Sequence, residues 1–393
     1  MSLSAIDQQA FDRVQQCKPQ WSGICKVSDV IGDRQLLLHA GPPFANTEQI
    51  PSAVLNSLCI GAVWEGWAKD DTQARQMILA KDIKIAAAQD HDIVVPLAGV
   101  VSPSMALMII QDANQPDQRK YSVLNEGMEH CTRLGKLDAV LPTHLSWLNG
   151  ELACWLSERL VQPIDLLPVI NAALADGDDC HGRTIVSSAL LHQRLAEMSK
   201  EPIPVEINDF LQESLAFALN VWMAACSLMM AAAEGVTGAS LVTKAGGNGV
   251  EFGIQLASAP GKWFTVTAPV INGAIEASHQ GRTALGALGD SAVVDFMGLG
   301  GQVLDSAHAS REALSEYLPP NALQRPTMAL AGAFSGFEQR LAMTCARNIV
   351  SAGAGPLTLL GMIEESGQAG RIGGGVADAP VSLFEHALQE TSL

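Results

Sequence analysis

The stretch Ser214 to Ala233 has no charged residue over about 20 positions, and any fold this chain adopts has to hide it. A run of that length is long enough to cross a bilayer. It is rich in Ala and Met, contains Asn220 and Ser227, and lacks the flanking Lys/Arg that anchors a membrane span. The run therefore reads as a helix buried in a protein core, with the rest of the chain packed around it. Composition agrees: of 393 residues, 48% are hydrophobic and only 17% charged. So low a charge content points to buried subunit interfaces and an oligomer. The length predicts two or three domains.

The hydrophobic period divides the chain. From Leu141 to Gly235 it is helical. Leu145, Leu148, Leu152, Leu156 and Leu160 fall near i, i+3 and i+4 spacing. Pro163 opens a helix that ends at Gly177, His181 to Lys200 reads as another, and Pro204 to Gly235 contains the uncharged run. Before this block, residues 5–20 read as a polar helix, Gln35–His39 as a strand and Gly61–Lys81 as a helix. Asp82–Met108 reads as strands cut by Pro96, Gly99 and Pro103. After Gly235 the period drops to two in Val250-Glu-Phe-Gly-Ile-Gln-Leu256. Helical stretches follow at about 302–318 and 336–350, then a Gly-rich tract from Gly353 to Gly375. The pattern predicts a multidomain α+β protein in which two mixed α/β parts surround a central all-helical subdomain. Its parts are an N-terminal α/β domain (1–140), the helical subdomain (141–235) and a C-terminal α/β domain (236–393), with no flexible tether between them.

Charge and cysteine usage exclude several function classes. There are 24 basic and 41 acidic residues, a net charge of −17, and no Lys/Arg cluster. That argues against a nucleic-acid groove and an anionic membrane surface. The eight cysteines are scattered without a C-x-x-C pair, which argues against a zinc ribbon and for free thiols in a reducing cytoplasm.

Three glycine-studded polar stretches stand out against this apolar background. In Gly177-Asp-Asp-Cys-His-Gly-Arg-Thr184, Asp178 or Asp179 suits a helix cap. Arg183 suits a carboxylate or phosphate, and His181 suits proton transfer near neutral pH. Lys244-Ala-Gly-Gly-Asn-Gly-Val-Glu-Phe-Gly253 lacks the spacing of a P-loop or a dinucleotide fingerprint. It reads either as a strand-to-strand turn or as a backbone nest for an anion. In the second reading Gly247 and Gly249 supply N–H groups, beside Lys244, Asn248 and Glu251. In Leu288-Gly-Asp-Ser-Ala-Val-Val-Asp-Phe-Met-Gly-Leu-Gly-Gly301, Asp290 and Ser291 stand where a helix is capped. Asp290 and Asp295 are also placed to position an amine or a metal. His91 in Gln89-Asp-His-Asp92, Glu126 in Asn125-Glu-Gly127, and Asp178 form a second tier. No cofactor fingerprint and no well-spaced metal-ligand set is read, since Asp-x-x-His alone is weak.

Taken in order, Pro96-Leu-Ala-Gly-Val-Val-Ser-Pro-Ser-Met105, Leu124-Asn-Glu-Gly127, Gly177–Arg183, Gly249-Val-Glu-Phe-Gly-Ile254, Leu288-Gly-Asp-Ser-Ala292, Gly373-Gly-Gly-Val376 and Pro380–Leu388 carry a resemblance. Together they resemble the YlbE/YahG-like family, long labelled a domain of unknown function. Its allantoin-pathway member AllG is a subunit of oxamate carbamoyltransferase. The resemblance spans roughly residues 30 to 390. It implies carbamoyl transfer, in which oxamate and carbamoyl phosphate interconvert with oxalurate and phosphate. The family assigns no residues to these steps; by side-chain chemistry alone, Arg183, Lys244 and the glycine N–H groups are expected to hold the anions, with His181 as proton acceptor and Asp290 orienting it. The implied partners are a small anionic metabolite, further copies of the chain and other subunits. A non-catalytic subunit that binds a metabolite beside an acyl-CoA-synthetase-like protein is a second reading. A metal-dependent enzyme using Asp178, His181 and Asp290 is a third.

Overall fold

A computed structural model describes residues 3–198 and 201–393. The fold is α+β, built from several small sheets pressed onto a buried helix. That helix is Phe217–Ala231, which lies inside the uncharged run and is buried from Phe217 through Met230 apart from Leu219. It is preceded by Val205–Glu213 across a 70° bend, and no single helix among the described residues is long and apolar enough to cross a membrane. Its neighbours include the five-stranded sheet ordered Ile93–Val94, Arg119–Val123, Ala106–Asp112, Pro19–Lys26 and Ile164–Asp165.

One continuous apolar cluster runs from Ala10 through Trp21, Leu38, Val94, Leu156, Trp222, Ile254 and Phe296 to Leu388. Residues from all three predicted parts share it, so the segments are packed together and not strung on linkers. The central segment is helical as its leucine spacing predicts, with Leu141–Trp147 and Ala153–Arg159 joined through a wider turn at Leu148–Leu152. It also lends the short strand Ile164–Asp165 to the edge of the N-terminal sheet.

Two arrangements position the polar stretches. The first is the parallel pair Leu36–His39 and Lys84–Ala87. Parallel neighbours need a crossover, and here it runs through the helices Ser52–Trp64 and Asp71–Leu79. The loops leaving the carboxyl ends of both strands, Ala40-Gly41 and Ala88–Asp92, point to one place. The second is the four-stranded sheet Phe264–Thr267, Glu251–Leu256, Val242–Asn248 and Leu288–Gly289. Its hairpin turns at Gly249-Val250. Gly249 adopts φ +88°, as expected for the first central residue of a tight hairpin loop. The alternation read in Val250–Leu256 is the strand Glu251–Leu256.

Some elements differ from the sequence pattern. The helix expected over 5–20 stops at Val14, and Pro19–Lys26 is a strand paired with Ala106–Asp112. The 61–81 helix is two helices broken at Gly66 (φ +75°). The helix expected over 181–200 spans Ile185–Glu197, while Ser199 and Lys200 lie outside the described residues. The 302–318 stretch contains the short helix His308–Ala313, and the 336–350 stretch splits into the strand Arg340–Thr344 and the helix Ala346–Ala352. The Gly-rich tract is two paired strands, Leu357–Ile363 and Arg371–Asp378.

Candidate functional site

The segment 288–301 is the hub. It carries the short helix Ala292–Met297, with one buried carboxylate just before it and another within it. The other two glycine-studded stretches meet opposite ends of this helix.

At the N-terminal end, Asp290 is completely buried. Its Oδ1 accepts from Gly41 N at 2.8 Å and Gln89 Nε2 at 2.6 Å, and its Oδ2 accepts from Val95 N at 2.9 Å. Asp290 N donates in turn to Val95 O. Gly289 pairs with Gly247, and a Cβ on Gly246 would stand 2.7 Å from Asp290 Oδ1. The backbone approach is so tight that only glycine fits there. Burial pushes the Asp290 carboxyl up to about 7, against the three N–H donors. Asp290 thus ties the loops of the parallel pair to the C-terminal sheet.

At the other end, Asp295 Oδ2 accepts from His181 Nδ1 at 2.6 Å, and its Oδ1 accepts from Gly301 N at 2.8 Å and Leu359 N at 3.2 Å. The His181 and Asp295 side chains are 4% and 0% exposed. Gly300, at φ +53°, has no room for a side chain, because its Cβ would stand 2.2 Å from Asp295 Oδ1 and 3.0 Å from His181 Cβ. Burial works against charge on the imidazole, but the Asp295 charge and hydrogen bond outweigh it and hold His181 above its ordinary value. Burial raises Asp295, against His181 and the two backbone donors. When the ring is neutral, a proton on Nδ1 faces the Asp295 carboxylate and the lone pair is on Nε2. Nε2 has no partner among the described residues and is not sealed from solvent.

The turn holding His181 is itself fastened. Asp179 Oδ1 accepts from His181 N and Arg183 N, and its Oδ2 accepts from Ser310 Oγ. Asp178 Oδ2 accepts from Ser187 N and Ser187 Oγ, both at 2.7 Å, which caps the helix Ile185–Glu197. The capping expectation for Asp178 therefore describes its place. Its other oxygen is buried without a hydrogen bond, 3.8 Å from Arg183 Nε.

The remaining sequence-selected residues take other positions. Asn248 is a turn residue: its side chain accepts from Val250 N and Glu251 N and donates to Pro42 O. Glu251 accepts from Thr265 Oγ1. The Lys244 ammonium lies 3.4 Å from Asp90 Oδ1, an oxygen shared with Gln255 Nε2 and Trp263 Nε1. Ser291 precedes the helix without a side-chain cap. Glu126 is held by Thr132 N and Oγ1, and His91 is half-buried with no hydrogen-bond partner among the described residues. Two surface hollows of about 630 and 600 Å³ contain none of these residues. Among the described residues no cluster of His, Cys, Asp and Glu has the geometry to hold a metal ion.

Two partners were hidden from sequence reasoning. Gln89 lay in view as a neighbour of His91, yet it is the one that binds Asp290. Asp295 was a candidate beside Asp290, but its pairing with His181 spans 114 positions of chain, and no local pattern announces it.

A family model described as oxamate carbamoyltransferase subunit AllG matches residues 83–291 of the 393. The chain belongs to the AllG family. AllG of Escherichia coli K12, described as an oxamate carbamoyltransferase subunit, is 29% identical over an alignment of 418 positions, covering 99% of this chain and 97% of that protein. The uncharacterized protein YahG of the same organism is also 29% identical, covering 98% and 85%. The crystal structure of a conserved protein of unknown function from Enterococcus faecalis V583 superposes with a TM-score of 0.91 at 27% identity, covering 98% of this chain and 97% of that one. The matched segment of this AllG-family chain includes His181 and Asp290 and stops short of Asp295 and the paired strands beyond.

Proposed function

We propose that this AllG-family chain is a subunit of a carbamoyltransferase and works with partner subunits on a small amide such as oxamate. The observation that supports the reading is the buried His181–Asp295 pair, whose Nε2 stays free. Carbamoyl transfer to an amide nitrogen needs a base, because that nitrogen is a weak nucleophile until it loses a proton. As the oxamate nitrogen forms its bond to the carbamoyl carbon, Nε2 of His181 takes the N–H proton. The carbon–oxygen bond to phosphate breaks, phosphate leaves with the electron pair, and the proton passes to it. The products are oxalurate and phosphate. In this reading Asp295 is a positioning residue that fixes the imidazole tautomer, the role sequence reasoning gave to Asp290. Arg183, 40% exposed beside the same turn, faces solvent as a cation for the substrate.

The test is phosphate release from carbamoyl phosphate with oxamate, measured on the chain alone and on the chain assembled with its partner subunits. His181→Gln is expected to reduce turnover at least a hundredfold while the urea midpoint shifts little. Full turnover by that variant in the assembly would overturn the assignment.

A further inference from the structure

The strand Leu357–Ile363 links the His181 site to a second group. Leu359 N donates to Asp295, and the Leu359 side chain lies 3.3 Å from where a Cβ on Gly182 would stand. The residue next to His181 therefore rests on this strand. Side chains two apart on a strand share a face, so Gly361 presents the same side as Leu359. A Cβ there would stand 3.5 Å from both Arg371 Nε and Leu97 Cδ1. Gly361 pairs across the sheet with Gly374, where a Cβ would stand 3.3 Å from Arg371 Nη2. The Arg371 guanidinium thus spans a pair of bare glycines, with Nε donating to Gly373 O at 3.0 Å.

Arg371 is exposed, and among the described residues no carboxylate lies within ion-pair distance of it. Arg183 has Asp178 beside it and Lys244 has Asp90. Positions two apart on a strand are separated by about 7 Å, so Arg371 lies roughly one small molecule's length from the Leu359 position that anchors Asp295. Gly182, the neighbour of His181, and the Arg371 guanidinium, which has no counter-ion among the described residues, therefore lie against positions 359 and 361 on one face of one strand. We propose that Arg371 binds the oxyanion of a small substrate, a carboxylate or a phosphate, beside His181. This rests on the reading of His181 as the proton acceptor. The Gly361–Gly374 pair leaves room for the guanidinium itself to lie against the sheet, and its planar fork suits two oxygens at once.

Phenylglyoxal labelling of the wild-type chain, read at Arg371 by peptide mass spectrometry, needs no variant. Oxamate and inorganic phosphate are added separately. Protection of at least fivefold by oxamate identifies a carboxylate anchor, and the same protection by phosphate identifies a phosphate anchor. No protection by either overturns the proposal. In the assembled enzyme, Arg371→Gln is expected to raise KM for the protecting substrate ten- to hundredfold with little change in kcat. Arg371→Lys should recover part of the loss. If His181→Gln abolishes turnover while Arg371→Gln leaves KM unchanged, the Arg371 assignment falls and the His181 reading stands. If His181→Gln is fully active while Arg371 is still protected, the anion site stands and the functional reading falls.

Discussion

Asp290 and Asp295 flank one turn and a half of chain, and both are fully buried. Their surroundings differ. Asp290 receives three N–H donors from three separate positions in the N-terminal part, and its carboxylate has no open side. Asp295 receives two backbone donors and turns its remaining oxygen to an imidazole whose far nitrogen is unpartnered. A buried carboxylate surrounded by main-chain donors is a fastening, since every partner is part of the scaffold. A buried carboxylate that faces a titratable ring transmits its charge to a group able to react. Burial and a raised carboxyl are common to both, so neither feature separates a fastening from a site. The identity of the donors does.

The sharpest way to break this comparison is Asp290→Ala. It strands three buried donors, each worth about 1–3 kcal/mol, so stability in urea should fall by roughly 3–5 kcal/mol. A loss under about 1 kcal/mol would remove the fastening role. Next is Asp295→Asn. Its carbonyl oxygen can still accept from Gly301 and Leu359, but its amide then faces Nδ1 as a donor. The imidazole proton is driven to Nε2 and the base is lost. Turnover of the assembled enzyme should drop about a hundredfold, with a much smaller stability loss than in Asp290→Ala. Because Asp295 is what raises His181, any residual activity should show its acid limb at lower pH than wild type.

A smaller effect comes from the titration of Asp290. Its folded carboxyl sits at about 7 against an ordinary 3.8. The unfolded chain therefore ionises first, and the folded state holds an extra proton between about pH 4 and pH 7. This contribution is fully present below pH 4 and lost as pH rises through 7, at no more than about 1.4 kcal/mol per pH unit. Urea titrations across that window should show the decline in wild type and a flatter profile in Asp290→Asn. The smallest change is expected from Arg183→Gln, under about 1 kcal/mol, because the guanidinium is 40% exposed and 3.8 Å from its carboxylate.

The chain announced its local features better than its meetings. The uncharged run gave away the buried helix, since twenty residues without charge have few places to go. The Gly249 turn was legible because a tight hairpin needs positive φ there. Residues 5–20 misled because the strand starting at Pro19 is decided by pairing with Ala106–Asp112, some ninety residues on. Arg340–Thr344 was absorbed into a helix for the same reason, its partner being Leu330–Phe334. The three polar stretches were expected to supply one anion site, with Asp290 orienting His181. They meet in pairs at opposite ends of one helix, and the His181–Asp295 contact depends on a turn at Gly300 that no spacing rule identifies.

The doubly glycyl rung beneath Arg371 has a consequence for how this family can diversify. A Cβ on Gly361 would stand 3.5 Å from Leu97 Cδ1 and from Arg371 Nε, and one on Gly374 would stand 3.3 Å from Arg371 Nη2. What crowds this rung is the far end of the arginine itself, so a methyl group added there displaces the guanidinium and leaves the sheet intact. One small substitution at Gly361 or Gly374 would thus move the cation, and with it any preference among related substrates.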